Sequence, residues 1–297
     1  MSDARVWEFV DDRGAAVTAA RRPQRVAAYI RAGAALRDLG VTPVAVYGSG
    51  HDGAVPDPVK GGDLTAAGVP YLGPGRSLDE EALRRLRPDL LVDVTYDGKS
   101  AYALDEAVAE RLGVPLVALS VGNEPGLAAI IGRFAELGAA LGADRECAAT
   151  GPEADPMAVA ESAVRAAVAE GGAEVAVVAL SGAGPDQVHL ARPQAWPELA
   201  RLVDLGVRLL DPGPGPGANW LTADWEHAAR LGPGLVLSDS RAHAVQGADL
   251  PPVGHARVAP WNPETPPSPA AYARFFHDLA GALQSRTSHP APVSRPN

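Results

Sequence analysis

The chain has 297 residues, 46% of them hydrophobic, which is enough to form the cores of two medium-sized domains or of one large domain. The formal charge of -10, with Lys60 and Lys99 as the only lysines, argues against a nucleic-acid partner, because phosphate binding needs clustered basic side chains. The single cysteine, Cys147, excludes an internal disulfide and a metal cluster built on cysteines.

The sequence also bears on where the protein works. No apolar run approaches the roughly 18 residues of a membrane span, so we expect no transmembrane segment. The N-terminus has neither the basic and apolar regions of a secretion signal nor a lipid-accepting cysteine. As written, the chain is therefore predicted to be cytoplasmic. A chain whose leader had been removed would look the same and would be extracytoplasmic.

Residues 1–124 have the pattern of one α/β lobe. Turn chemistry at 11–14 between two short apolar runs predicts an N-terminal hairpin. Buried strands then alternate with helices, which is typical of a parallel, doubly wound sheet. The Gly/Pro-rich passage 48–75 has few helix or strand signals, so it is predicted to be a long functional loop. The predicted strands are 25–30, 43–47, 89–95 and 115–119, and the predicted helices are 32–39, 77–86 with Ser77 as its cap, and 104–112.

A helix and a second lobe follow. Apolar residues at helical spacing from 126 to 141 predict a connecting helix, which we assign to residues 125–148, and further helix is expected over 156–170. The second α/β lobe is assigned to 149–284, and the tail 285–297, rich in Pro and Ser, is predicted to be disordered. Predicted strands of this lobe are 174–180, 207–210, 235–238 and 256–259, and its predicted helices are 197–205, 223–231 and 269–283.

The two lobes repeat each other in sequence. Residues 78–92 (LDEEALRRLRPDLLV) align without a gap with residues 223–237 (ADWEHAARLGPGLVL), and 36–41 (LRDLGV) matches 202–207 (LVDLGV). Such duplication predicts two similar α/β halves. A ligand is then expected in the crevice between them.

Several segments together resemble a known family. The opening VWEFVDDRGAAVTAARRPQRVAAYI, the segment LDEEALRRLRPDLLVDV and the phrase RLGVPLVAL resemble the helix-backbone class (class III) of ABC-transporter substrate-binding proteins over about residues 5 to 284. The resemblance implies two doubly wound α/β lobes joined by a single long helix, with a ligand cleft between the lobes. It also implies an ABC permease as partner and, as ligand, a ferric siderophore, haem, cobalamin or a divalent metal. A bacterial member is expected to carry a secretion signal, and none is visible here.

Candidate site residues follow from the rule that ligands contact the loops after the carboxyl ends of the strands. Arginine forks bind carboxylate, catecholate or hydroxamate oxygens, and aromatic faces cover apolar surface, so a ferric siderophore is the expected ligand. Tyr29 could instead belong to the core, and Arg31 could be a solvated charge. Tyr96 and Arg241 are equivalent in the repeat and are expected to face the cleft from opposite sides. The full candidate set is Tyr29, Arg31, Tyr47, His51, Tyr96, Lys99, His189, Arg192, Trp220, Asp239, Arg241 and Trp261.

Other functions are weighed against this one. His51, His189 and His243 with Asp239 could hold a metal, but no two histidines have a close spacing, and His51 could be an axial ligand to haem or cobalamin. The segment SGAGPD at 181–186 faintly resembles a phosphate-binding glycine loop but lacks its Lys and Ser/Thr. No catalytic motif is present, so no enzyme activity and no intrinsic cofactor are expected, and the protein is predicted to be monomeric. A cytoplasmic protein of the same fold, recruited to an enzymatic or biosynthetic step or to partner recognition, remains the alternative.

Overall fold

The computed structural model describes residues 6–122, 124–143 and 155–285. It opens with the predicted hairpin, in which β1 (Trp7–Val10) pairs antiparallel with β2 (Ala16–Ala19). The buried carboxylate of Asp11 shapes the turn, because its Oδ1 accepts hydrogen bonds from the backbone N–H groups of Arg13 and Ala15, both at 3.0 Å.

The first lobe is a five-stranded parallel sheet in the order β5-β4-β3-β6-β7. The central strands are buried along their whole length, as expected for a sheet that helices cover on both faces. Its strands are β3 (Val26–Tyr29), β4 (Ala45–Gly48), β5 (Tyr71–Pro74), β6 (Leu90–Thr95) and β7 (Leu116–Ser120), and its helices are α1 (Ile30–Asp38), α2 (Pro58–Gly61), α3 (Glu80–Leu86) and α4 (Glu106–Leu112).

Helix α5 (Leu127–Ala140) packs against both lobes. Ile130, Phe134 and Leu137 belong to the core of the first lobe, whereas Leu127 belongs to the core of the second. The helix ends at Ala140, and Gly142 follows with a φ of 87°. The end predicted at residue 148 lies outside the described residues.

The second lobe is a five-stranded sheet in the order β10-β9-β8-β11-β12, in which β8, β11 and β12 pair in parallel and β9 pairs antiparallel with both β8 and β10. Helices α6 and α9 pack closely against each other over one face of this sheet. The strands are β8 (Val177–Gly182), β9 (Val188–Ala191), β10 (Trp220–Ala223), β11 (Leu235–Asp239) and β12 (Arg257–Trp261), and the helices are α6 (Pro156–Ala169), α7 (Pro197–Asp204), α8 (Trp225–Arg230) and α9 (Pro269–Gln284).

The sequence repeat corresponds to repeated local structure. Asp79 and Asp224 cap α3 and α8, each accepting from the backbone N–H three residues on, at 2.8 and 2.7 Å. Helices α1 and α7 are followed by the same left-handed glycine, Gly40 at φ 92° and Gly206 at φ 93°. In both turns the N–H of the next valine bonds back to a helix carbonyl, as in a Schellman motif. The two lobes are therefore built from the same helix-to-strand units.

Several sequence predictions are corrected. The passage 48–75 is not a continuous loop, since it contains α2 and the edge strand β5. Asp79 caps α3 where Ser77 was expected, because residues 75–77 form a short 3-10 turn before the helix. The strand predicted at 207–210 is reduced to a single bridge between Leu209 and Val177.

The pairing of β9 with β10 was not predicted, and it makes the second sheet mixed. Beyond Ser285, the predicted tail lies outside the described residues. Over residues 6–122, 124–143 and 155–285, no helix is both long enough and apolar enough to cross a membrane.

Candidate ligand-binding cleft

The two lobes meet where the carboxyl ends of their central strands converge. Tyr29, at the end of β3, donates a hydrogen bond of 3.2 Å to Glu264, which follows β12 in the other lobe. Asp57 caps α2 with one oxygen and with the other accepts the backbone N–H of Ala242 at 2.8 Å. Asn262 donates to the carbonyl of Val59, also at 2.8 Å. The short helix α2 thus joins the first lobe to the strand-end loops of the second.

A fully buried lysine lies at this junction. Lys60 donates a 2.8 Å hydrogen bond to Asp52 of its own lobe and forms an ion pair with Glu264 of the other lobe. Burial alone would raise the pKa values of both carboxyl groups, but the charge of Lys60 lowers both below their ordinary range. Both acids are therefore anionic at neutral pH and hold the lysine between them.

Arg241 lies two residues after the end of β11, and two acids hold its side chain. Its Nε and Nη2 donate to Asp239 at 3.0 and 2.7 Å, and its Nη1 lies 3.6 Å from Glu264. Ser181 donates to the same Asp239 at 2.8 Å. Burial alone would lower the pKa of Arg241, but the hydrogen bond and charge of Asp239 raise it. The Arg241 side chain is still 14% exposed, and its remaining N–H groups are available to a ligand.

On the first lobe, Arg31 positions Tyr96 beside Arg241. Arg31 is buried, and it donates to the carbonyl of Thr265 at 3.0 Å and to the hydroxyl of Tyr96 at 3.2 Å. The rings of Tyr96 and Tyr102 meet edge to face at 4.8 Å, and each residue is about a third exposed, at 37% and 36%. Burial raises the pKa of Tyr102 to about 12, with Glu264 contributing, and also raises the pKa of Tyr96. Both hydroxyls therefore stay protonated as donors.

An aromatic cluster lies on the second lobe. Trp196, Trp220 and Trp261 contact one another, with ring centroids 4.8 to 5.8 Å apart, and His189 lies 6.4 Å from Trp220. Trp261 is almost fully buried and donates to the buried Glu198 at 3.1 Å, whereas Trp220 is half-buried. Trp261 therefore supports the cluster, and Trp220 presents its outer surface.

Solved structures share the overall fold of this chain. DesE, a ferric-siderophore receptor protein from Streptomyces coelicolor, is 26% identical, with a TM-score of 0.79 over 94% of this chain and 98% of its own. The catecholate-siderophore binding protein VctP from Vibrio cholerae is 13% identical, with a TM-score of 0.62 over 94% of this chain and 99% of its own. The siderophore binding protein FhuD from the same organism, bound to Fe3+-Desferal, is 18% identical, with a TM-score of 0.60 over 88% of this chain and 98% of its own. The chain has the fold of the helix-backbone class of substrate-binding proteins. Neither the protein-family models nor the curated proteins include a match to the sequence.

Half of the predicted site residues meet at the lobe junction. Tyr29, Arg31, Tyr96, Asp239 and Arg241 are linked there by direct hydrogen bonds or by the shared partner Glu264. Trp261 ends β12 beside them. Because Tyr29, Asp239 and Trp261 are buried, these three position neighbouring groups, and Tyr96 and Arg241 keep exposed surface for a ligand.

Other predicted residues lie elsewhere. Tyr47 is fully buried in the first lobe, where its hydroxyl donates to Val92 and Asp93, so its prediction as a cleft residue is wrong. The strand-end rule selected Tyr47 correctly by position, but its side chain points into the sheet's own core. Arg192 donates to the carbonyls of Gly213, Gly215 and Gly217 and holds that glycine-rich loop in place.

The remaining predicted residues are more exposed. His51 and Lys99 lie on loops of the first lobe, and no described contact joins their side chains to the junction. His189 bonds Thr222 across β9 and β10 at 2.9 Å and sits beside Trp220. The proposed ligand contacts of His51, Lys99 and His189 therefore stay predictions.

The sequence analysis missed several residues at the junction, among them Asp52, Lys60, Tyr102 and Glu264, with Asp57, Glu198 and Asn262. Glu264 and Asp52 follow strands β12 and β4, so the same strand-end rule could have selected them. Lys60 is one of only two lysines in the chain, and it is fully buried. No sequence signal marks Tyr102, which reaches the site because residues 96–105 fold back over β6.

The geometry also bears on two alternatives, the phosphate-binding loop and the metal site. The segment 181–186 is the end of β8 and the turn of the β8–β9 hairpin, closed by a bond from Ala183 N–H to the Gln187 carbonyl. No helix begins there, so the segment lacks the geometry of a phosphate-binding loop. Over the described ranges, the structure brings together no group of three or more His, Cys, Asp or Glu side chains that could hold a metal ion.

Proposed function

We propose that this protein binds a ferric siderophore in the cleft between its lobes. One observation carries the proposal: the partly exposed Tyr96–Tyr102 pair of the first lobe stands beside Arg241 of the second, close enough for the arginine to influence the pKa of both tyrosines. The site therefore offers aromatic surface, neutral hydroxyl donors and guanidinium N–H groups to one ligand. The description of DesE as a ferric-siderophore receptor supports the same ligand class.

The chemistry of such a ligand matches these groups. A ferric siderophore presents oxygen atoms around the metal and apolar linkers between them. Tyrosine hydroxyls and the free N–H groups of Arg241 would donate to the oxygens, and the exposed tyrosine faces would cover the linkers. Affinity would come from aromatic burial with a few directed hydrogen bonds, and discrimination would come from pocket shape and charge.

Delivery to an ABC permease, without catalysis, is part of the proposal. Because α5 packs into the cores of both lobes, opening and closing of the cleft would be limited to small hinge motions. The glycine-rich segment that resembled a phosphate-binding loop is a hairpin turn, which favours binding over the recruited-enzyme alternative. A direct assay of permease-dependent uptake with this protein would test the transport role.

The binding proposal is tested first by thermal shift and by quenching of tryptophan fluorescence. The protein would be titrated with ferrioxamine B, with a ferric tris-catecholate, with haem, with cobalamin, and with zinc and manganese salts as bare metals. A ligand that binds only the folded state raises the Tm by mass action. We expect at least one ferric complex to raise the Tm while the bare metals do not. No shift with any ferric complex would refute the proposal.

The site assignment is tested by variants. The double substitution Tyr96→Ala with Arg241→Ala removes an aromatic face and a donor fork, and we expect affinity to fall at least about 100-fold. Because Arg241→Ala leaves two buried acids without their partner, Tyr96→Leu is tested as well, with an expected loss of about 10-fold and little change in stability. Arg230→Ala, an exposed arginine paired with Glu226, is the matched control. Unchanged affinity in Tyr96→Leu and in the double variant would contradict the assignment.

A further inference from the structure

The buried charged groups at the lobe junction form what we call the junction charge cluster. It contains more acids than bases. Glu198 belongs to it because its charge acts on Arg31, and burial raises its pKa to about 6, so it is mainly anionic above neutral pH. The members are the bases Arg31, Lys60 and Arg241 and the acids Asp52, Glu198, Asp239 and Glu264.

Two of the three bases are neutralised by a paired acid, and the third, Arg31, is buried and donates to the Thr265 carbonyl and the Tyr96 hydroxyl. Lys60 is paired with Asp52 and Glu264, and Arg241 is paired with Asp239 and Glu264. His243 lies close enough to be affected by Arg241, and burial together with that charge lowers its pKa, so at neutral pH it adds no positive charge. The cluster therefore provides hydrogen-bond donors without excess positive charge.

The neighbouring surface does not supply the missing charge. Arg76 and Lys99, the exposed basic residues of nearby loops in the first lobe, are in contact with water, which screens them. Lys99 is also next to Asp97, whose pKa is lowered by backbone hydrogen bonds from Ser100 and Lys99. The whole chain carries a formal charge of -10, so its long-range field repels anions.

From this charge balance we infer that the cleft selects ferric complexes that are neutral or cationic, as tris-hydroxamates are, over trianionic tris-catecholates. The inference rests on the proposed function and names the substrate class of the same site. A trianion placed against the junction charge cluster would lose its hydration and find Lys60 and Arg241 already paired with acids, and Arg31 buried and bonded to Thr265 and Tyr96. A cationic group, in contrast, can be placed over the exposed faces of Tyr96 and Tyr102.

The test compares three probes that differ in charge. They are ferrioxamine B, a tris-hydroxamate with one net positive charge from its pendant ammonium, the neutral N-acetylated form of the same complex, and a trianionic ferric tris-catecholate. Affinities are measured by fluorescence quenching at pH 8 and at two salt concentrations. We expect both hydroxamates to bind at least about 100-fold more tightly than the tris-catecholate, with the gap narrowing at high salt. A tris-catecholate that binds as tightly as the neutral complex, or more tightly, would overturn the inference and leave the proposed function intact. Failure of all three probes to bind would refute both.

A variant tests whether charge is the cause. Glu198→Gln removes one negative charge and keeps an oxygen to accept the Trp261 N–H. We expect it to reduce the preference for hydroxamate about 10-fold. Glu161→Gln is the matched control, because Glu161 pairs with Arg201 on α7, outside the junction, and this variant should keep the wild-type preference. A preference that stays the same in Glu198→Gln would show that shape, and not charge, selects the ligand.

Discussion

Replacement of Lys60 with methionine is expected to destabilise the protein strongly. Methionine has a similar length and no charge, so Lys60→Met leaves Asp52 and Glu264 as two buried carboxylates without their shared cation. The 2.8 Å contact to Asp52 corresponds to a gross attraction of about 6 kcal/mol at an effective dielectric constant of 20. Part of this attraction only offsets the desolvation of the lysine. Removing one partner of a buried ion pair typically costs about 3 to 5 kcal/mol, and we expect a loss in that range.

The loss should depend on pH in a defined direction. Lys60 lowers the pKa values of Asp52 and Glu264, so the stabilisation it provides is fully present above their ordinary pKa values and is lost as pH falls from those values through the lowered pKa values of the folded protein. In Lys60→Met the two acids can relieve their repulsion by taking up a proton. The difference between the wild type and Lys60→Met should therefore be largest at neutral pH and should shrink below about pH 4 to 5.

The measurement is urea unfolding at several pH values, followed by circular dichroism. Lys99→Met, which changes the other lysine of the chain at an exposed position, is the matched control and should cost less than about 0.5 kcal/mol. Adding Glu264→Gln to Lys60→Met removes one of the orphaned charges and should recover part of the lost stability. A loss below about 1 kcal/mol at neutral pH, or a loss that does not change with pH, would refute the ion-pair argument.

Three further outcomes are expected. Tyr47→Phe should cost about 1 kcal/mol of stability in urea unfolding, because two buried hydrogen bonds are lost, and should leave ligand affinity unchanged; weakened binding would restore Tyr47 to the site. Arg192→Ala should speed limited proteolysis within 213–217, where three carbonyls lose their donor, and an unchanged cleavage pattern would contradict that role. Burial raises the pKa of Asp93 to about 7, so its contribution to stability should increase by up to about 4 kcal/mol as pH falls from about 7 to 4. That pH dependence should be absent from Asp93→Asn, and an equal slope in both proteins would contradict it.

The sequence predicted the parallel part of the fold well, because its signals are local. The run 90–94 is apolar except for Asp93 and is buried along its whole length, which is typical of a buried parallel strand. The repeated LxxLGV turns predicted equivalent helix ends, and Gly40 and Gly206 have nearly the same φ, 92° and 93°. Such features require only neighbouring residues, so a single sequence contains them.

The predictions failed where pairing partners are distant or elements are short. Strands β9 and β10 pair with each other although about thirty residues separate them, and each has only 4 residues, so neither shows a clear period. Helix α2 also has 4 residues and lies in a Gly/Pro-rich passage whose composition indicates loop. In each case tertiary contacts decide the local structure, and composition alone gives the opposite answer.

The candidate site also depends on contacts between residues that are distant in the sequence. The strand-end rule selects a position, but it does not decide which groups the side chain at that position reaches. Tyr29 and Tyr47 are register partners on β3 and β4, yet one hydroxyl reaches Glu264 of the other lobe and the other reaches Asp93 inside its own. The charge balance at the junction depends on Glu264 and Lys60, which are 204 positions apart and form an ion pair only in the folded chain. The charge balance of the cleft is therefore set by pairings that a strand-end rule does not include, and the buried acids of both lobes must be counted before the arginines can be assigned to a ligand.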